Sequence, residues 1–269
     1  MKRKIGIVNT SLFALAMIAL LCLIFGGLRN KPLTEPGAST NTIIKNTSLT
    51  SGNVDLSKFV IDVSAWQRPS DIDYNTLSQN IIGAIVRVQA GKVAKADSAS
   101  TSSGEDTAYK QHIQEFQARN IPVAVYAYVN GDSVDEMKQQ AKDFYARSNP
   151  YHPTYYWLDV EEDHMSDLNA GIDAYRNELE SLGVKNIGIY AQDWFITANN
   201  IDVSKFSAVW MAAYGPNDSG NLDAYPNTSI PYDLHQFTSH GWRSGYSGYL
   251  DLNIIKTQKE YNKLFLNKG

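Results

Sequence analysis

The stretch TYYWLDVEEDHMSD, Thr154 to Asp167, sets an apolar run against a cluster of acids. Its first half is aromatic and aliphatic without polar alternation, as a strand buried on both faces should be. Its second half places Asp159 and Glu161 where that strand must end. Residues two apart on a strand point to the same side, so both carboxylates can face one opening while Val160 packs away from it. A parallel sheet with chemistry at its carboxyl edge is the arrangement this predicts.

Working outward, runs of the same character recur: FVIDV (59–63), IIGAIVRV (81–88), IPVAVYAYV (121–129), NIGIYA (186–191), SAVWMAAY (207–214), YDLHQF (232–237) and YLDLNI (249–254). Helical patterns lie between several of them. Tyr109, Ile113 and Phe116 share one face, Val134, Met137, Ala141 and Phe144 another, and Leu168, Ile172, Tyr175, Leu179 and Leu182 form the clearest stripe. Ser133 with Glu136 reads as a capping box, and Gly183 as the residue that ends the third helix. Apolar strands alternating with helices mean a parallel sheet covered on both faces. Eight of them within about 200 residues predict an α/β fold of TIM-like barrel type, with helices sparse in the second half. A doubly wound open sheet is the alternative, and no G-x-G-x-x-G motif supports it.

The barrel is expected over residues 57–269, behind two segments of other character. Residues 1–30 combine the basic MKRK with an apolar run from Leu12 to Leu28. As a helix that run spans roughly 25 Å, close to the lower limit for crossing a bilayer. No clear small-x-small cleavage site follows, which favours an uncleaved membrane anchor over a removed signal peptide. Residues 31–56, rich in Pro, Ser, Thr, Asn and Gly, read as a flexible extracellular tether. The expected location is the cell surface, with the body outside the membrane, or secreted if the leader is removed. Cys22, the only cysteine, lies in the apolar run, so the body has neither disulfide nor thiol chemistry. The formal charge of −4 hides an asymmetry. Every charge in residues 1–31 is basic, leaving 19 basic against 28 acidic residues beyond them. So acidic a body argues against nucleic acid as a partner.

In a parallel barrel the functional site lies at the carboxyl ends of the strands. Asp62 stands near the end of the first strand and Asp251 within the last, and closure makes those strands neighbours. Asp62, Asp159, Glu161 and Asp251 should therefore share one mouth. Glycoside hydrolysis suits such a set, because crowded carboxylates hold a proton on one group while others stay ionised. A metal site using Asp163 and His164 is the competing chemistry. Contiguous side chains in EEDH diverge, however, and no second histidine is suitably spaced. Tyr126, Tyr128, Tyr190, Trp210, Tyr214 and Trp66 lie at or just past strand ends, where aromatic faces can stack on sugars. Trp157 is read as core, out of phase with the acids. Glu162 is likewise read as out of phase, on solvated surface.

The motifs IDVSAWQ, LDVEE, NIGIYAQDWF, VWMAAYG and HQFTSHGWRSGYSGYLDLN, in this order, resemble the family 25 glycoside hydrolases, the muramidases often called Chalaropsis-type lysozymes. The resemblance runs from about Lys58 to Ile255. It implies a modified, flattened (β/α) barrel that cuts the β-1,4 bond between N-acetylmuramic acid and N-acetylglucosamine in peptidoglycan, without metal or cofactor. It further implies Glu161 as catalytic acid, Asp159 as its partner, and Asp62 and Asp251 as a supporting pair. Tyr126, Tyr128, Tyr190, Trp210, Tyr214 and Gln236 match positions lining the family's groove. QRPSDIDY, RVQAG and YAYVNG depart from the family's usual wording, which bears on subsites and not on the acids. Expected partners are peptidoglycan glycan strands and, through the N-terminal helix, the membrane. Anchoring also suggests local cutting of the cell's own wall for a secretion or conjugation assembly. Two other readings compete: a non-catalytic, tethered wall-binding module, and a barrel glycosidase acting on another N-acetylated glycan.

Overall fold

The computed structural model describes residues 53–93 and 95–266. The expected anchor and nearly all of the tether lie outside them. Among the described residues, no helix is long and apolar enough to cross a membrane.

Eight strands close into a barrel in chain order: β1 Phe59–Val63, β2 Ile81–Gln89, β3 Val123–Tyr128, β4 Tyr156–Asp159, β5 Ile187–Gln192, β6 Ala208–Ala212, β7 Leu234–Gly241 and β8 Leu250–Ile254. Closure excludes the open doubly wound sheet. The first seven run parallel, but β8 is antiparallel to both β7 and β1. An all-parallel sheet is therefore the wrong expectation at its last member. The cause is the connection: residues 242–249 are fewer than the dozen or so that a parallel crossover needs, so the chain returns as a hairpin. Helices are α1 Tyr74–Ser78, α2 Tyr109–Gln117, α3 Val134–Ser148, α4 Leu168–Ser181, α5 Asp193–Ala198 and α6 Gln258–Phe265. None lies between β6 and β7 or between β7 and β8, so the second half is helix-poor.

Helix ends follow local chemistry. The Ser133 side chain accepts from the Glu136 N–H, but the Glu136 carboxylate turns to the Asp132 N–H, which makes half of the expected capping box. Gly183, at φ +94°, ends α4 with its N–H on the Glu180 carbonyl while the Val184 N–H reaches the Leu179 carbonyl. This is a Schellman closure, in the backbone region that glycine enters without strain.

Two cores result. The outer one packs Ile113, Phe116, Phe144, Tyr175 and Leu179 of the helices against the strands. The inner one fills the lumen with Tyr155, Trp157 and Trp210, closed by Tyr261, Leu264 and Phe265 of α6. The Tyr261 hydroxyl donates to the Ile82 carbonyl at 2.9 Å, fixing α6 near the start of β2. Trp157 is core, as expected, but it is in phase with the acids. It belongs to the lumen cluster and lies two residues before Asp159, stacked on Tyr155 at 5.0 Å.

The large indole fits because its neighbour on β5 has no side chain. A Cβ on Gly188 would lie 2.2 Å from the Trp157 ring, which is completely buried. Gly188→Ala should therefore destabilise the fold by about 1–3 kcal/mol, read as a lower denaturation midpoint. An unchanged midpoint would mean that the lumen can yield.

Candidate active site

The strand register builds the mouth. Asp62 on β1 and Asp251 on β8 are direct cross-strand partners. Asp159 ends β4, level with Tyr128 on β3 and Tyr190 on β5. Glu161 follows after one residue, near enough for its charge to raise the pKa of Asp159. Carboxyls this close resist ionising together, which favours keeping a proton on one of them. Asp62 raises the pKa of Asp159 and Glu161 raises that of Asp62, so the pair of strand ends forms a single electrostatic unit.

Burial is the main cause of every shift in this set. It pushes Asp62 up to about 6, against hydrogen bonds from Asn253 and Gln236 and with Glu161 adding to the rise. It raises Asp159 well above the carboxylate range, and the negative charge of Glu161 adds to that. Asp251 is raised by burial, then by Asp62 and Asp218. Glu161 is raised as well, by partial desolvation at the mouth and against the lowering effect of Asp159 beside it. Glu161 is exposed to solvent, whereas Asp159 is only 6% exposed. Desolvation therefore weighs more on Asp159, and in the free protein a retained proton favours that residue.

A polar network holds the opposite wall. Asp62 Oδ2 accepts from Gln236 Nε2 at 2.9 Å and from Asn253 Nδ2 at 2.8 Å. Gln236 Oε1 accepts from the hydroxyls of Tyr190, at 2.6 Å, and Tyr214, at 2.5 Å. Asn253 Oδ1 accepts from Trp210 Nε1 at 2.7 Å. Two amides aimed at one oxygen keep Asp62 in place, and each amide is itself held by aromatic donors. By contrast, Asp159 Oδ1 is buried with no hydrogen-bond partner. A buried acceptor left open in a mouth is a place for a substrate donor.

The expected aromatics divide by depth. Trp210 is buried, packed on Tyr190 at 4.5 Å and edge-on to Trp157 at 5.7 Å. Tyr190 is buried beside it, so both act through the network instead of offering a free face. Tyr126, Tyr128 and Tyr214 are half-buried, and Trp66 stands 49% exposed beyond β1. Glu162 lies on solvated surface, as expected, where its carboxylate meets His164 Nε2 at 2.7 Å. Asn253 escaped the sequence reading, although its place two residues after Asp251 put it in step with an acid. Arg87 escaped it too. Its guanidinium meets the buried Asp106 at 2.9 Å and pulls Asp159 downward, and a lone charge within an apolar strand was the visible sign. Among the described residues, no three of His, Cys, Asp and Glu are grouped to hold a metal ion.

These shifts predict a pH dependence of stability. A carboxyl whose folded pKa is raised binds more protons folded than unfolded in the interval between the two values. Stability then falls as pH rises through that interval and levels off above it. For Asp62 the window runs from about 4, the unfolded value, to about 6. Its contribution is on the order of 3 kcal/mol. Asp159 and Asp251 act in the same direction. Thermal unfolding should give a higher midpoint at about pH 5 than at pH 7.5, with the difference reduced in Asp62→Asn. A midpoint that climbs across that range contradicts the shifts.

Residues 61–246 match the family model described as Glycosyl hydrolases family 25. Among solved structures, the chain is similar to GHIP, a glycosyl hydrolase 25 of Streptococcus pneumoniae described as a virulence factor participating in host cell invasion. The identity is 50% and the TM-score 0.77, covering 78% of this chain and 94% of that one. The catalytic domain of endolysin ply40, from bacteriophage P40 of Listeria monocytogenes, shares 24% identity at TM-score 0.67, over 77% of this chain and 96% of that one. A lysozyme of Streptomyces coelicolor shares 16% identity at TM-score 0.62, over 79% and 98% respectively. The last two speak for the fold alone. A search of curated proteins gives no match.

Proposed function

Because the chain belongs to glycosyl hydrolases family 25 and is a glycoside hydrolase, we propose that it is a peptidoglycan muramidase, with Glu161 as the acid and Asp159 as its partner. The bond cut is the β-1,4 link between N-acetylmuramic acid and N-acetylglucosamine. What supports the reading is Asp159 at the end of β4 with Glu161 just beyond it, and the buried, unpartnered acceptor at Asp159 Oδ1.

The mechanism follows from that pair. A substrate acetamide N–H donating to Asp159 favours the ionised form of that residue, so the proton is left to Glu161. Glu161 then protonates the leaving glycosidic oxygen as the anomeric C–O bond breaks. The acetamido oxygen forms the new bond to the anomeric carbon, and Asp159 holds the N–H and balances the developing positive charge. Water attacks the anomeric carbon next, losing its proton to Glu161, and the bond between that carbon and the acetamido oxygen breaks. Two displacements retain the configuration. The first-released anomer, followed by NMR, should be β; an α product rules out the acetamido route.

Mass spectrometry of digested peptidoglycan tests the reaction itself. Fragments with N-acetylmuramic acid at the reducing end support the muramidase, and N-acetylglucosamine ends assign the cut to the other bond. Binding without fragments would leave a wall-binding module. The reading extends to an exported body held at the membrane by residues 1–30, motivated by their basic-then-apolar order. Protease treatment of intact cells should remove the barrel; full protection would refute export.

A further inference from the structure

Beyond Tyr214 the β6–β7 segment folds against the end of β5 and encloses a cavity of about 360 Å³. Its floor includes Ala212 and Ala213, whose small side chains leave the space open. Its walls carry Trp194 and Tyr225, 60% and 59% exposed, far more than aromatic residues that serve packing. These faces are fixed. Trp194 Nε1 bonds Gln192 Oε1, and the indole meets Phe195 edge-on at 5.6 Å. Asp193 accepts from the Trp194 N–H at 2.6 Å and from the Asn227 N–H at 3.2 Å, which ties the segment bearing Tyr225 to α5. Tyr225 also leans on His235 at 5.7 Å. Asp218 pins the start of the same segment to β7 through Thr238, Ser239 and His240.

The lining selects a class of ligand. Aromatic faces with a few amide groups suit the apolar face and hydroxyls of a sugar ring. No Lys, Arg or His lines the cavity, so nothing there would pair with the carboxylates of a stem peptide. Tyr214 joins the cavity to the acids, since it lines the one and its hydroxyl bonds Gln236, which bonds Asp62.

We propose that the cleft between Trp194 and Tyr225 is a separate subsite for a neutral N-acetylhexosamine ring of the bound strand, away from the bond that is cut. The proposal rests on the muramidase reading, and the two can fail independently. The full chain is assayed on peptide-free glycan strands of defined length, as wild type, Trp194→Ala and Tyr225→Ala. Each variant should raise KM about tenfold on strands of six sugars or more, leave kcat within about twofold, and leave tetrasaccharide kinetics unchanged. Equal KM on long strands overturns the subsite. So does a defect that appears only when stem peptides are present, which would make the cleft a peptide site. A wild type inactive on every peptidoglycan sinks the muramidase reading instead. In that case tryptophan fluorescence with the hexasaccharide of N-acetylglucosamine still decides the cleft: quenching lost in Trp194→Ala supports it, and unchanged quenching refutes it.

Discussion

Replacing Glu161 by Gln should lower peptidoglycan turnover by about 10²–10⁴-fold, the range that a general acid contributes. Gln keeps the shape and can still meet Asp159, but it has no proton to give. The loss should fall on kcat, since binding relies on the aromatic rim and not on this carboxyl. Folding should survive. Glu161 has a solvent-open edge, and its charge raises the pKa of Asp159, so removing it relieves a repulsion. A combined measurement of kcat, KM and thermal midpoint decides the matter. Activity within tenfold of wild type would mean that another group delivers the proton.

Asp159→Asn should cost about 10²–10³-fold in kcat while raising stability at neutral pH. The residue is 6% exposed, and burial already works against its ionised form. An amide of the same size carries no such penalty, so the midpoint should rise as turnover falls. Catalysis suffers because half of the new amide is a donor, and a donor facing the substrate's N–H repels it. Opposed changes in stability and rate are the signature of a group kept for chemistry. A variant less stable than wild type would instead make the Asp159 carboxylate a structural member of the lumen.

Sequence patterning exposed much of this architecture, and its failures have physical causes. Apolar runs marked all eight strands because a strand buried on both faces is mostly apolar, with polar residues confined to where the site lies. The neighbourhood of Asp62 and Asp251 was legible, because closure makes the first and last strands adjacent whichever way the last one points. The direction of β8 was not, since a strand reads alike in both senses and only its connection length differs. Trp157 was set out of phase with Asp159 although they stand two positions apart, and period-two spacing puts such residues on one side. Asn253 became visible as a site residue only once the register brought its amide to Asp62. The Trp194–Tyr225 cleft depends on a segment without periodic order, held by Asp193 and Asp218. No repeat in the sequence announces such a loop.

Barrel closure has a bearing on biogenesis. The edge of β1 is covered by β8, which lies about 190 residues later in the chain. At a translation rate of 5–20 residues per second, that edge waits on the order of 10–40 s for its partner. During this interval Phe59–Val63 keeps one unpaired edge even after β2 has joined its other side, and that edge is open to mispairing with other nascent chains. Holdase chaperones should therefore engage the growing polypeptide until Leu250–Ile254 has been made, and release it only afterwards.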